Sequence, residues 1–336
     1  MTHDGKILAI ARDIISQRRK ANQAEQLRRR EQVYARLPEL RQLDGELGAL
    51  MTDISATALR RGGNAGEAVM RAREESSRIL LRRSNLLASG GFPPDYTDDI
   101  FTCPLCRDSG YVQGKPCACL KALYQEQSVR ELSSVLDLRG QGFDSFDLSF
   151  YSDVPDRGHS LSPRSAMKTV FTLCKKYAED FDSSSVSLLF RGSTGLGKTF
   201  LSSAIAGVVS EKGYSVVYDT ATALVEVFER QKFDRGGENS EEAASGIRRY
   251  LGCDLLILDD LGTEMTTSFT QSALYSLINT RLINGKQTII STNLSEDEMH
   301  RRYSPQLASR LEGDYLTLNF YGRDIRSLKR ERALRA

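Results

Sequence analysis

At 336 residues the chain is a little over twice the length of a typical domain, so two domains are expected. It is 40% hydrophobic and 27% charged, with no Trp and a mean hydropathy of −0.38, which excludes collagen-like, mucin-like and wholly disordered chains. The net charge of +2 is uneven: residues 1–90 hold 17 Lys and Arg against 11 Asp and Glu, a balance that suits nucleic acid, an acidic partner or simply a solvated helical face.

The N-terminus carries Asp4 and Arg12 within its apolar stretch, and no apolar run reaches the ~18–20 residues that span a bilayer. A cytoplasmic protein with neither signal peptide nor membrane partner is expected. Ile7, Ile10, Ile14 and Ile15 form a stripe at helical spacing ahead of a basic run over residues 17–32. A second stripe runs through Leu37, Leu40, Leu43, Leu47, Leu50 and Ile54, with Pro38 suited to the first turn of a new helix. A Gly-rich breaker at residues 60–66 precedes a third helical pattern from Val69 to Leu87. Residues 1–90 are thus expected to be an all-α, partner-binding unit.

A stiff Pro-containing segment, residues 92–97, leads into Cys103-x₂-Cys106-x₁₀-Cys117-x-Cys119. Four cysteines within seventeen residues of a chain without export signals point to a metal rather than to disulfides, and four thiolates suit Zn²⁺, with an iron–sulfur cluster or free redox thiols as the alternatives. Such a set leaves no open coordination position, so the expected role is structural. Cys174 and Cys253 lie in apolar surroundings and are expected to be core thiols. The zinc module is assigned to residues 91–125 and a linker to 126–164, with a helix over 126–136 and an extended connector over 141–156.

From about residue 165 to 336 strands and helices alternate. Candidate strands at 186–190, 215–219, 255–258, 287–291 and 315–319 predict a parallel sheet with helices on both faces. Gly192, Ser193, Thr194, Gly195, Leu196, Gly197, Lys198 and Thr199 fit G-x-x-x-x-G-K-[ST] between a strand and a helix, where backbone N–H groups and the helix N-terminus can cradle phosphates. Lys198 is placed to reach the β- and γ-phosphates of ATP and Thr199 to ligate Mg²⁺. Leu255-Leu-Ile-Leu-Asp259-Asp260 has the form of a Walker B strand, with Asp259 assigned to Mg²⁺ and Asp260 to the attacking water's proton. Asn293 follows the next strand and is placed to orient that water.

These segments, with residues 305–311, resemble an AAA+ ATPase. The sequences at 258–264, 291–294, 307–311 and 320–326 are similar to one branch, the DnaC/DnaI-type replicative helicase loaders and the related IstB transposition helpers. The resemblance implies a sensor-1 role for Asn293, an arginine finger offered to a neighbouring subunit at Arg310, and a sensor-2-like contact at Arg326. Only ten residues follow Arg326, so no helical lid is expected, as in loaders of this branch. It also implies a single-stranded DNA path, for which residues 222–235 are the local candidate, with Arg230, Lys232, Phe233 and Arg235 diluted by Glu226, Glu229 and Asp234. The cysteine segment looks like the zinc segment ahead of the ATPase in DnaI-like loaders. The implied function is ATP-dependent loading of a DnaB-type helicase onto single-stranded DNA by a self-associating ATPase. The alternatives are an IstB-like transposition helper and a nucleotide-gated adaptor with negligible turnover. A small-molecule P-loop kinase is disfavoured, since lid arginines are not evident.

Overall fold

The computed structural model describes residues 5–59, 65–136, 140–155, 161–233 and 238–334. Asp4, most of the breaker at 60–66, Asp234, Arg235 and residue 156 lie outside them, as do the side chains of Ile54 and Val69. The chain divides into two compact units, one of residues 12–120 and one of residues 1–11 with 121–336.

The first unit contains most of α1 (Gly5–Arg36) with α2 (Pro38–Leu59) and α3 (Ala65–Ser89). Pro38 opens α2, where its missing N–H costs nothing. Val33, Leu40, Leu87 and Phe92 are buried together, and Leu43 and Ile15 are buried, whereas Ile10 of the first stripe is exposed and Leu37, Leu47 and Leu50 of the second are half-buried. Asp44 gathers the three helices, accepting from Tyr34 Oη at 2.7 Å and pairing with Arg83 at 2.9 Å. The cysteine segment folds onto α1: Asn22 donates to Asp108 at 2.8 Å and Gln26 to Asp99. Its short antiparallel hairpin joins β1 (Tyr111–Val112) to β2 (Lys115–Pro116) through Gln113 and Gly114, both at positive φ as a tight primed turn requires.

The second unit is built on a five-stranded sheet, all parallel: β3 (Ser187–Arg191), β4 (Val216–Thr220), β5 (Leu255–Leu261), β6 (Gln287–Thr292) and β7 (Tyr315–Asn319), in the order β4-β5-β6-β3-β7. Side chains alternate along each strand. Leu188, Phe190, Val216, Leu255, Ile257 and Ile289 enter one core with Met167 and Cys174 of α5 (Pro163–Asp180) and with Leu201 and Ile205 of α6 (Lys198–Glu211). Leu189, Val217, Leu256, Leu258 and Ile290 enter the opposite core. There they meet α7 (Ala221–Phe233), α8 (Glu238–Gly252), α9 (Ser268–Ile283), α10 (Glu296–Arg302) and α11 (Pro305–Gly313). The sheet is therefore covered on both faces, the arrangement expected from the strand–helix alternation.

Two local readings differ from the structure. The helix read over 126–136 begins earlier, as α4 (Ala118–Val135), with Cys119 in its first turn. The connector over 141–156 is extended only in part: residues 143–145 and 148–150 form 3₁₀ turns between extended residues, the second capped by Asp147, whose carboxylate accepts from the Ser149 N–H at 2.8 Å. After β6, α10 and α11 are separate helices with Tyr303 and Ser304 between them, because Pro305 disfavours a helical residue before it and Ser304 caps α11.

Candidate functional site

The loop from β3 to α6 sits at the carboxyl ends of the strands, where open parallel sheets bind ligands. Gly192 and Gly195 have no room for a side chain. A Cβ would lie 2.5 Å from the Phe320 carbonyl at Gly192 and 2.0 Å from Asp324 Oδ1 at Gly195, and both glycines have positive φ. Asp324 caps α12 (Ile325–Ala333), and the Ile325 N–H donates to the Gly195 carbonyl at 2.9 Å, so this last helix is docked on the loop.

Lys198 opens α6 and is only 5% exposed. Its Nζ donates to the carbonyls of Gly192 at 2.6 Å and Ser193 at 2.9 Å and to Asn293 Oδ1 at 2.6 Å. Burial lowers its pKa, and the charges of Asp260 and Asp259 oppose that shift. Thr199 Oγ1 donates to Asp259 Oδ2 at 2.8 Å, tying the phosphate loop to β5. These are hard oxygen donors, the kind Mg²⁺ takes.

Consecutive strand residues ordinarily face opposite sides of a sheet. Asp259 and Asp260 escape that rule because β5 shifts register against β6 between Leu258 and Leu261, with Asp260 at φ 55°. Asp259 thereby meets Thr199 while Asp260 lines the adjoining cleft. Burial raises the Asp260 pKa and the neighbouring Asp259 carboxylate adds to it, while Lys198 and Arg326 oppose. Two further hydroxyls hold Asp259 that the sequence reading did not single out. Tyr218 Oη donates to Oδ2 at 2.7 Å and Ser291 Oγ to Oδ1. Burial and the Asp259 charge push the Tyr218 phenol upward, so it stays a donor.

The cleft has a volume of about 260 Å³ and is lined on one side by Thr194, Gly195, Lys198 and Thr199, with Arg326 and Lys329 of α12 nearby. Its far wall is the segment read as a connector: Gln141, Phe146, Asp147 and Phe150. Phe146 stacks on Phe171 at 5.2 Å and meets Phe200 edge-on at 5.4 Å, fixing that wall on α5 and α6. Aromatic spacing across an irregular segment carries no period, which is why the wall was not legible.

Arg310 is not brought to this cleft. It is exposed on α11 and pairs with Asp314 at 3.0 Å. At the end of α7, Phe233 is 70% exposed and Lys232 Nζ lies 4.3 Å from the Phe269 ring centroid. Glu264, after β5, is buried and accepts from the Tyr303 hydroxyl and, at 2.8 Å, from the Gly262 N–H.

In the other unit the four cysteine sulfurs lie within 4.8 Å of one another, with Cys103–Cys117 at 3.8 Å and Cys106–Cys119 at 3.4 Å. Four sulfurs ~2.3 Å from one tetrahedral centre are separated by roughly 3.8 Å, so the set fits Zn²⁺. Asp108 steadies the knuckle by accepting from the N–H groups of Thr102 at 2.9 Å and Cys103 at 2.8 Å. Burial works against its carboxylate, yet these donors with Asn22 hold its pKa below the usual range. Cys174 and Cys253 are buried in the two cores of the sheet.

Residues 146–311 match the family model described as IstB-like ATP binding protein. The replicative helicase loader DnaC of Escherichia coli K12 is 24% identical over 137 residues, 41% of this chain and 54% of that one. The chromosomal replication initiator DnaA of Onion yellows phytoplasma is 30% identical over 145 residues, 42% of this chain and 27% of that one. The crystal structure of the DnaC helicase loader aligns with 55% of this chain and 99% of that one, at 20% identity and a TM-score of 0.45. The chain thus spans about half the length of the curated loader it matches. The phosphate loop, the two acids and Asn293 all lie within residues 146–311, the segment that is similar to the IstB-like ATP binding proteins.

Proposed function

We propose that the protein is an ATP-dependent loader of a ring-shaped, DnaB-type replicative helicase onto single-stranded DNA. The observation that carries the ATPase part is the convergence of Lys198, Thr199, Asp259, Asp260 and Asn293 on one set of strand ends. Similarity to DnaC supports the loader part.

In this reading the backbone of Gly192–Gly197 and the N-terminus of α6 hold the phosphates, and Lys198 exchanges its carbonyl partners for phosphate oxygens. Thr199 and Asp259 hold the magnesium. Bound there, Mg²⁺ would supply positive charge against that of the phosphates. Asp260, aimed into the cleft by the β5 irregularity and raised in pKa, accepts the proton of the attacking water. Asn293 orients that water while holding Lys198. Arg326 contributes positive charge from α12, and Arg310 acts from a neighbouring subunit. Phe146, Phe150 and Gln141 line the same cleft and would meet the nucleotide's base. The cysteine knuckle holds zinc, and its unit docks the helicase. The Lys232–Phe233–Phe269 cluster offers a ring and a charge to single-stranded DNA.

A second reading, a helper ATPase for transposition acting on duplex DNA, is favoured by the description of the matching family model. Affinity purification of the tagged chain from its source cells separates them. Recovery of a ring helicase, with ATP-stimulated loading onto single-stranded DNA, is the expected result. Recovery of a transposase instead supports the helper. Tight ATP binding with negligible turnover in the presence of helicase and DNA supports a nucleotide-gated adaptor.

A further inference from the structure

The Walker B carboxylate Asp259 is 2% exposed and receives three hydroxyl groups. Thr199 and Tyr218 both donate to Oδ2, at 2.8 and 2.7 Å, and Ser291 donates to Oδ1. The Asp260 N–H also reaches Oδ1 at 3.2 Å and Ser291 Oγ at 3.0 Å. A hydroxyl has one proton and two lone pairs. Thr199 can therefore keep its proton on Oδ2 while presenting oxygen to a cation, provided the carboxylate does not turn. With Thr199 alone, Oδ2 is held from one side; the phenol holds it from a second.

The phenol arrives on a fixed strand. β4 pairs with β5 in the register Tyr218↔Ile257 and Thr220↔Asp259, which sets Tyr218 on the same face of the sheet as Asp259. β4 is an edge strand, and its end is pinned from the other face: Asp219 accepts from Tyr250 Oη of α8 at 2.6 Å and from the Thr220 N–H at 2.9 Å. The Tyr218 ring itself packs against the α5–α6 core. Placement, burial and partner are thus all specified, and none of them serves the strand's own stability alone.

We propose that Tyr218 is a positioning residue for the magnesium site, its hydroxyl locking the Asp259 carboxylate in the orientation that lets Asp259 and Thr199 serve one cation. This rests on the reading of the cleft as a magnesium–nucleotide site. Partners that orient metal ligands from behind are worth 10–100-fold in metal affinity, and Tyr218 supplies one of four donors to Asp259, so the lower end applies.

The test is Tyr218→Phe in the full-length protein, which keeps the ring and deletes the donor. Binding of a fluorescent, non-hydrolysable ATP analogue is titrated with MgCl₂ and repeated in EDTA. The expected result is an apparent Mg²⁺ affinity about tenfold weaker, with affinity for the analogue in EDTA and the thermal midpoint close to wild type. An unchanged Mg²⁺ midpoint overturns the proposal. So does an equal loss of affinity with and without Mg²⁺, which marks a structural role. Asp259→Asn and Thr199→Val run in parallel. If neither of these shifts the Mg²⁺ midpoint, the magnesium–nucleotide reading itself fails; if they shift it and Tyr218→Phe does not, only the role of Tyr218 fails.

Discussion

The Lys198 ammonium donates to Asn293 Oδ1 at 2.6 Å, joining the first residue of α6 to the residue that follows β6. The contact spans 95 positions of sequence and ties the phosphate loop to the neighbouring strand end.

Removing either partner should have distinct effects. Lys198→Ala deletes a buried charge that water cannot replace at the phosphates, so nucleotide binding should be lost in a fluorescent-nucleotide titration. Asn293→Ala should leave that affinity within about threefold while phosphate release falls on the order of 10²-fold, the usual effect of losing one preorganised polar contact at a reacting centre. Equal losses of binding in the two variants would show that Asn293 only supports Lys198.

Asp260→Asn should trade activity for stability. Its pKa is raised in the folded protein, so its contribution to stability is complete below the unfolded pKa and is lost as pH rises through the folded one. At neutral pH the charged form is a net cost, and an amide removes it. Asn also accepts the positive φ of this position. The variant should bind ATP, hydrolyse almost none, and melt at a higher temperature than wild type at pH 7, with the difference shrinking toward pH 4. A lower melting temperature at neutral pH would contradict the electrostatic argument.

Cys103→Ser with Cys106→Ser should abolish one equivalent of bound zinc per chain, measured by elemental analysis of anaerobically purified protein. Two remaining thiolates cannot hold the knuckle, whose folding depends on ligation. Limited proteolysis should then cut within residues 101–120, and helicase binding should weaken. Nucleotide affinity should be retained, since the phosphate site belongs to the other compact unit. Wild-type protein without stoichiometric metal would remove the basis for this expectation.

Arg310 pairs with Asp314 one helical turn away, an exposed contact too weak to hold it against a phosphate. Arg310→Ala and Lys198→Ala should each be inactive, yet regain turnover when mixed on DNA with helicase. The former keeps a phosphate loop and the latter supplies the finger, a contribution worth about 10³–10⁵ in rate where such fingers act. Asp314→Asn, which frees the guanidinium, should keep full activity. A mixture that co-assembles but stays inactive would place Arg310 outside the catalytic site.

The sequence by itself determined the order of strands and helices, the phosphate loop and the paired cysteines, because each is written in local spacing. Apolar runs mark buried strands, glycines mark the loop that must approach phosphate, and close cysteine spacing marks a knuckle. Tertiary structure decided what depends on residues far apart or on backbone irregularity. Asp259 meets Thr199 while Asp260 lines the adjoining cleft because β5 slips register against β6, which no alternation of residue types announces. Tyr218 looked like an ordinary strand residue and became a partner of Asp259 through pairing of β4 with β5. Phe146 and Phe150 wall the cleft because an aperiodic segment folds back onto α5 and α6, held by contacts between rings that lie 25 to 54 positions apart in the chain. Local pattern reports how a segment meets its own neighbours in sequence; which side chains share a cation or a substrate is set by long-range packing.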